Sequence, residues 1–217
     1  MGSEMCIRDS HMGVTKVIAV FGLSGVGKSA TVRRVVSESR GLAATVNAGQ
    51  LIRRRHGDDH TPETLRLLPA EEIRRNQELL VEELARARST GGAPVLLLDG
   101  HCLIDNGEQL VPIPIEVIER LDLAALVFVQ EGAAEIRARR LADSKRARPN
   151  LPSADLARHQ QCALAVCHGY ASRLGLPLTV VTAQQWPSIL RLVEESAAPI
   201  DRGRGNPTQD DRHDAYD

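Results

Sequence analysis

The stretch KVIAVFGLSGVGKSATVRRVVSES, Lys16 to Ser39, decides how this chain is read. After one lysine the next five residues are continuously apolar, as expected of a strand covered on both faces. Its last part, ATVRRVVSES, has helical composition. Between them GLSGVGKS, Gly22 to Ser29, satisfies the Gly-x-x-x-x-Gly-Lys-Ser pattern in the strand, loop, helix context that the pattern requires. Glycines let the main chain wrap closely, successive backbone N–H groups point at phosphate oxygens, and the helix start adds positive potential. Lys28 then reaches the β and γ phosphates of a nucleoside triphosphate, and the Ser29 hydroxyl is a ligand for the Mg²⁺ that bridges them. The residues expected to hold the nucleotide are Gly22, Ser24, Gly25, Val26, Gly27, Lys28, Ser29 and Ala30.

Four further runs have strand composition: LAATVN (Leu42 to Asn47), VLLLD (Val95 to Asp99), ALVFV (Ala125 to Val129) and LTVVT (Leu178 to Thr182). Helical segments separate them, which predicts an α/β fold with a five-stranded parallel sheet and helices on both faces. The VLLLD run ends in Asp99, an acid at the carboxyl end of a buried strand, where open parallel sheets place their ligands. Its expected role is to hold Mg²⁺ opposite Ser29, the alternative being a turn cap with Gly100.

Two intervals carry insertions. Between Asn47 and Val95 the pattern predicts helices over Gln50 to Arg55 and Pro69 to Arg88. In the second, Ile73, Leu80, Leu84 and Ala87 form one apolar stripe that the amide of Gln77 interrupts. A polar group on an inward face needs a partner, from the backbone, water or a ligand. Later, Ala134 to Asp143 reads as a helix, Ser144 to Pro152 as a loop carrying Lys145, Arg146 and Arg148, and Ser153 to Leu174 as a long helix with Ser153 as its N-cap.

The 217 residues fit one compact domain, and 27 Lys plus Arg against 28 Asp plus Glu give a formal charge of -1. That balance, with 2% aromatic residues, argues against a nucleic-acid binder built on a basic field or a base-stacking platform. No apolar run approaches the roughly 20 residues needed to span a bilayer, and no charged n-region is followed by an apolar h-region, so cytoplasm is the expected location. Residues 1–12, MGSEMCIRDSHM, resemble an expression-vector scar, and residues 199–217 are polar and punctuated by Gly and Pro, read as a disordered tail. The domain is then 13–198. Cys102, Cys162 and Cys167 are expected to be reduced thiols, and zinc is disfavoured because helix positions five apart do not share a face.

Separated segments of the chain resemble the archaeal-type adenylate kinases of the P-loop nucleoside monophosphate kinase group. Besides GLSGVGKS, the likeness is carried by VNAGQLI (Val46 to Ile52), LRLLPAEEIRRNQ (Leu65 to Gln77), DGHCLI (Asp99 to Ile104), ARRLADSKRAR (Ala138 to Arg148) and the pair His159, Gln160. It runs from about Val14 to Val181. Departures are Lys-Ser-Ala at the end of the P-loop where the family often has Lys-Thr-Thr, Gly100 in place of Thr, and the added tail.

The resemblance implies a helical monophosphate-binding insert over about 48–92, a short lid over about 144–152, and transfer from ATP to AMP, or a related nucleoside monophosphate, with Mg²⁺. It implies Lys28, Arg140, Arg146 and Arg148 around the transferred phosphoryl group. Arg66 is expected on the acceptor's phosphate, Gln77 and Asn47 in the base pocket, and His101, beside the metal acid, as an acceptor-site residue in contact with either phosphate. His101, His159 and Gln160 are also open to plain structural readings. A homo-oligomer is a further implication. Two alternatives stand beside this one: a P-loop kinase of another small acceptor, and a nucleotide-responsive ATP-binding or ATPase module with a regulatory role.

Overall fold

The computed structural model describes residues 14–56, 61–90, 92–143 and 150–198. Its centre is a sheet in which β1 (Lys16–Phe21) lies between β3 (Val95–Asp99) and β6 (Leu123–Gln130), with β2 (Ala43–Asn47) outside β3 and β7 (Leu178–Thr182) outside β6. All four pairings are parallel. The inner strands are the most apolar runs, and β3 is buried at every position, because helices cover both of its faces. One helical layer holds α1 (Lys28–Glu38) and α8 (Trp186–Ala197), which pack on each other; the other holds α4 (Ala70–Thr90), α5 (Ile115–Arg120) and α7 (Ser153–Leu174).

Register brings the chemistry to one edge. Asp99, the last residue of β3, stands opposite Val20 on β1 and Asn47 on β2. The loop from Gly22 to Gly27 leaves the same carboxyl edge directly after β1. Three helices, α2 (Ala48–His56), α3 (Pro62–Arg66) and α4, lie between β2 and β3. Along α4, Ile73, Leu80 and Leu84 are buried as the apolar stripe predicts, and so are Asn76 and Gln77.

The strand bounds read from composition agree closely with the structure, but the stretch after Asp99 holds more than a loop. It forms an antiparallel hairpin, β4 (Leu103–Asp105) with β5 (Leu110–Pro112), turned by Asn106 and Gly107, and then α5. The expected Ser153 N-cap is corrected: Pro152 occupies that position, Ser153 is the first helical residue, and no side chain caps the helix. The Pro152 carbonyl instead accepts the N–H groups of Asp155 and Leu156, each at 3.1 Å, and the fixed φ of proline suits the entry. The remaining helix before α7 is α6 (Ala133–Ala142). Among the described residues no helix is long and apolar enough to cross a membrane. Cys102 and Cys167 are buried with their sulfurs 3.3 Å apart, Cys162 is exposed, and all three are free thiols. Residues 1–12, the tail from 199 and most of the expected lid segment, including Lys145, Arg146 and Arg148, lie outside the described residues.

Candidate functional site

The loop after β1 can take its shape only with glycine at defined places. A Cβ at Gly22 (φ +151°) would lie 2.4 Å from the Val129 carbonyl oxygen, inside any real contact distance. Gly27, at φ 94°, is the N-cap of α1, and its left-handed backbone aims the first turn of the helix into the loop. Ser24, Gly25, Gly27, Lys28, Ser29 and Ala30 border a cleft of about 820 Å³. The Val26 side chain is instead fully buried beneath the loop.

Lys28 opens α1 and is buried with its ammonium group against Asp99 Oδ1. Ser29 Oγ donates to Asp99 Oδ2 at 2.6 Å, and Asn47 Nδ2 donates to the same oxygen at 3.3 Å. Asn47 also accepts the Gln50 N–H at 3.0 Å in the manner of an N-cap for α2, so it ties the acid to that helix. Burial pushes the Asp99 carboxyl upward. The Lys28 charge, with hydrogen bonds from Lys28 and Ser29, outweighs it and holds the carboxyl below its ordinary range. Asp99 is therefore a carboxylate at neutral pH.

The Nδ1 atom of His101 is 2.8 Å from the Gly22 carbonyl oxygen, which only accepts, so Nδ1 carries the proton. The ring is open to the cleft, yet loss of bulk hydration and then the Lys28 charge hold it well below its ordinary range, and it is neutral. Arg140 Nε donates to the Ser24 carbonyl at 2.8 Å, which puts this side chain against the P-loop. Arg66 borders the cleft from the other side, with its guanidinium donating to the Asp105 carbonyl at 2.6 Å. Gln77 is buried and borders the cleft too, and its Nε2 donates to the Ile73 carbonyl at 3.1 Å. The interrupted stripe thus has a backbone partner one helical turn away. The structure brings Lys28, Ser29, Asn47, Arg66, Gln77, Asp99, His101 and Arg140 to one cleft. His159 borders it as well.

Three arginines of the cleft escaped the sequence reading, Arg33 on α1 being the first. Arg53 on α2 borders the cleft with a buried Nε that has no hydrogen-bond partner among the described residues. Arg139 borders it beside Arg140 and donates to the Val26 carbonyl at 2.9 Å. Arg53 and Arg139 each sit in a run of arginines, Arg53 to Arg55 and Arg139 to Arg140, where composition alone does not say which one faces inward. Arg53 had one available signal, its place four residues after Gly49 on an amphipathic helix with Leu51 and Ile52 buried.

The hydroxyl of Ser29 and the carboxylate of Asp99, 2.6 Å apart at the mouth of the cleft, are hard oxygen donors of the kind Mg²⁺ takes. Among the described residues no group of three or more His, Cys, Asp or Glu gathers for a metal. A pair of oxygens and no cage fits an ion that arrives with phosphate ligands of its own.

A family model described as an AAA domain matches residues 21–156, the span from the end of β1 through the first turn of α7. Curated relatives include the adenylate kinases of Thermococcus kodakarensis, 27% identical over 85% of this chain and 95% of that protein. That of Methanothermobacter thermautotrophicus is 28% identical over 76% of this chain and 89% of that protein. Among solved structures, a gluconokinase from Sinorhizobium meliloti is similar at 18% identity and a TM-score of 0.49, covering 85% of this chain and 92% of that one. The family match covers more than half of the sequence and contains the P-loop, the strand that ends in Asp99 and the two arginines that close α6. This chain belongs to the AAA domain family of P-loop proteins.

Proposed function

We propose that the protein is a nucleoside monophosphate kinase that moves the γ-phosphoryl group of ATP to AMP or a related monophosphate. The observation that carries this reading is a single cleft bordered both by the P-loop and Asp99 and by Arg53, Arg66 and Gln77. A buried guanidinium nitrogen without a partner is costly unless an anion takes it, and the phosphate of a second nucleotide is such an anion. The resemblance to adenylate kinases agrees with it over most of the chain.

Phosphoryl transfer asks the protein for in-line placement and positive charge around the equatorial oxygens, and for little covalent chemistry. The P-loop amides and Lys28 bind the donor phosphates, Lys28 exchanging its bond to Asp99 for them. Ser29 and Asp99 would hold Mg²⁺, which supplies charge neutralisation between the donor phosphates when bound. Arg53 and Arg66 take the acceptor's phosphate, and Gln77 meets its base. Arg140, with Arg146 and Arg148 of the lid segment, surrounds the transferred group with planar donors that stay charged. Neutral His101, anchored to Gly22, fixes the turn between Asp99 and the P-loop. Closure over both ligands excludes water, which otherwise competes as acceptor and leaves a slow ATPase leak.

Incubation of the full chain with ATP and Mg²⁺, and each of AMP, CMP, UMP and GMP in turn, with ADP formation followed by a coupled assay, tests the reading. Turnover with AMP well above the ATP-alone rate is expected. ADP formation that no monophosphate raises would overturn it in favour of a kinase for another acceptor or an ATPase module.

A further inference from the structure

The amides of a P-loop converge on phosphate, so the loop's carbonyls must point outward and find partners of their own. One of those carbonyls, Val26, sits just before the Gly27 N-cap of α1 and accepts from Arg139 Nη1 at 2.9 Å. The same nitrogen lies 3.4 Å from where a Cβ on Gly27 would be, so the guanidinium sits beside the turn that aims the helix.

Arg139 is itself held. Its Nη2 pairs with Glu131 Oε2 at 2.8 Å, and Glu131 Oε1 accepts the Gly132 N–H at 3.1 Å. Glu131 follows the last residue of β6, beyond the ladder that fixes the strand. There Gln160, from α7, takes over the neighbour's part: its Oε1 accepts the Glu131 N–H at 3.1 Å and its Nε2 donates to the Glu131 carbonyl at 2.9 Å. An unbroken chain of hydrogen bonds thus runs from α7 through the end of β6 and α6 to the back of the phosphate loop. Neither Glu131 nor Gln160 borders the cleft.

We propose that Gln160 and Glu131 are positioning residues for the donor nucleotide, acting through Arg139 on the Val26 carbonyl. This rests on the P-loop half of the proposed function and not on the identity of the acceptor. The Arg139 to Glu131 pair is 41% and 13% exposed. Pairs this close to water contribute little to global stability, so the effect belongs in the loop's shape and not in the melting temperature. The strut also gives Gln160 a role distinct from its neighbour His159, which faces the cleft.

The test uses the full chain carrying Glu131→Ala, Glu131→Gln or Gln160→Ala, and measures Mg²⁺-ATP affinity by titration calorimetry, KM for ATP and for the monophosphate, kcat, and thermal unfolding. Glu131→Ala and Gln160→Ala are expected to weaken ATP about five- to tenfold, the net worth of roughly one ordinary hydrogen bond. The monophosphate KM stays at its wild-type value in every variant, the melting temperature does so in Glu131→Ala, and Glu131→Gln, which keeps an acceptor for Arg139, recovers most of the affinity. If Glu131→Ala fails to fold, Gln160→Ala carries the same expectation. ATP affinity within twofold of wild type in Gln160→Ala overturns the proposal, as does a parallel rise in the monophosphate KM. Because affinity is read by binding, failure of transfer to AMP in the wild-type protein bears on the proposed function and leaves this result independent.

Discussion

Replacing Lys28 by methionine should unfold the protein more readily as well as silence it. Lys28 and Asp99 are 7% and 5% exposed, and Lys28 supplies the only charge paired with that carboxylate among the described residues. The substitution leaves Asp99 with the Ser29 and Asn47 hydrogen bonds alone. Removing one partner of a buried ion pair costs about 3–5 kcal/mol. For a domain of this length that is roughly 6–20 °C in melting temperature. The pH dependence carries a sign. In the wild type the Asp99 pKa lies below the reference value of 3.8, so its contribution is full above that value and is lost as pH falls through the folded pKa. In Lys28→Met the lowering charge is gone and burial, which raises the pKa, acts with less opposition. The variant therefore loses stability as pH rises above the reference value, and its gap from wild type is wide at pH 7 and narrow near pH 4. Urea or thermal unfolding of wild type, Lys28→Met, Asp99→Asn and the double variant at both pH values measures this. The double variant should regain most of the loss, since it leaves no buried charge unpaired. A Lys28→Met protein as stable as wild type at pH 7, or a double variant no more stable than the single one, refutes the reasoning.

Other consequences are equally specific. Gly22→Ala forces a Cβ to 2.4 Å from the Val129 carbonyl and should shift the loop, lowering stability by about 1–3 kcal/mol and weakening ATP binding, read by unfolding and titration. Arg53→Met removes the guanidinium whose buried Nε lacks a partner among the described residues, so KM for the monophosphate should rise about 10- to 100-fold with KM for ATP unchanged; equal effects on both would place Arg53 elsewhere in the mechanism. Arg148→Ala should slow turnover by roughly 10² with ATP affinity retained, as expected of a group used in the transition state. Tyr170→Phe loses the buried hydroxyl bond to the Ile113 carbonyl, and a loss of about 0.5–1.5 kcal/mol should appear in unfolding with no change in kcat.

Much of this architecture is legible in the sequence because the parts that set it are local and strongly constrained. Buried parallel strands need continuous apolar runs, and the strand bounds of Lys16–Phe21, Val95–Asp99 and Leu178–Thr182 follow from composition. The P-loop is legible because its glycines answer to backbone conformation and close approach, which few other residues satisfy. The hairpin of Leu103–Asp105 with Leu110–Pro112 is not legible: three-residue strands, one ending in proline, give no periodicity to read. Ser153 looks like a cap because serine usually is one; here proline precedes it and its fixed φ sets the helix start. Arg53 and Arg139 stayed hidden within runs of like residues, since the face a side chain takes depends on how its helix docks. Gln160 shows the same limit in another form. Its partner is the main chain of Glu131, 29 residues earlier, and a side-chain bond to backbone leaves no pattern in the partner's residue type.

The most direct measurement follows the label of γ-³²P-ATP incubated with Mg²⁺ and AMP in the presence of wild-type protein and of Lys28→Met. The label should appear in the β-phosphate of newly formed ADP with wild type and in neither product with the variant. Release of the label as inorganic phosphate at a rate that AMP does not alter would contradict transfer within this cleft.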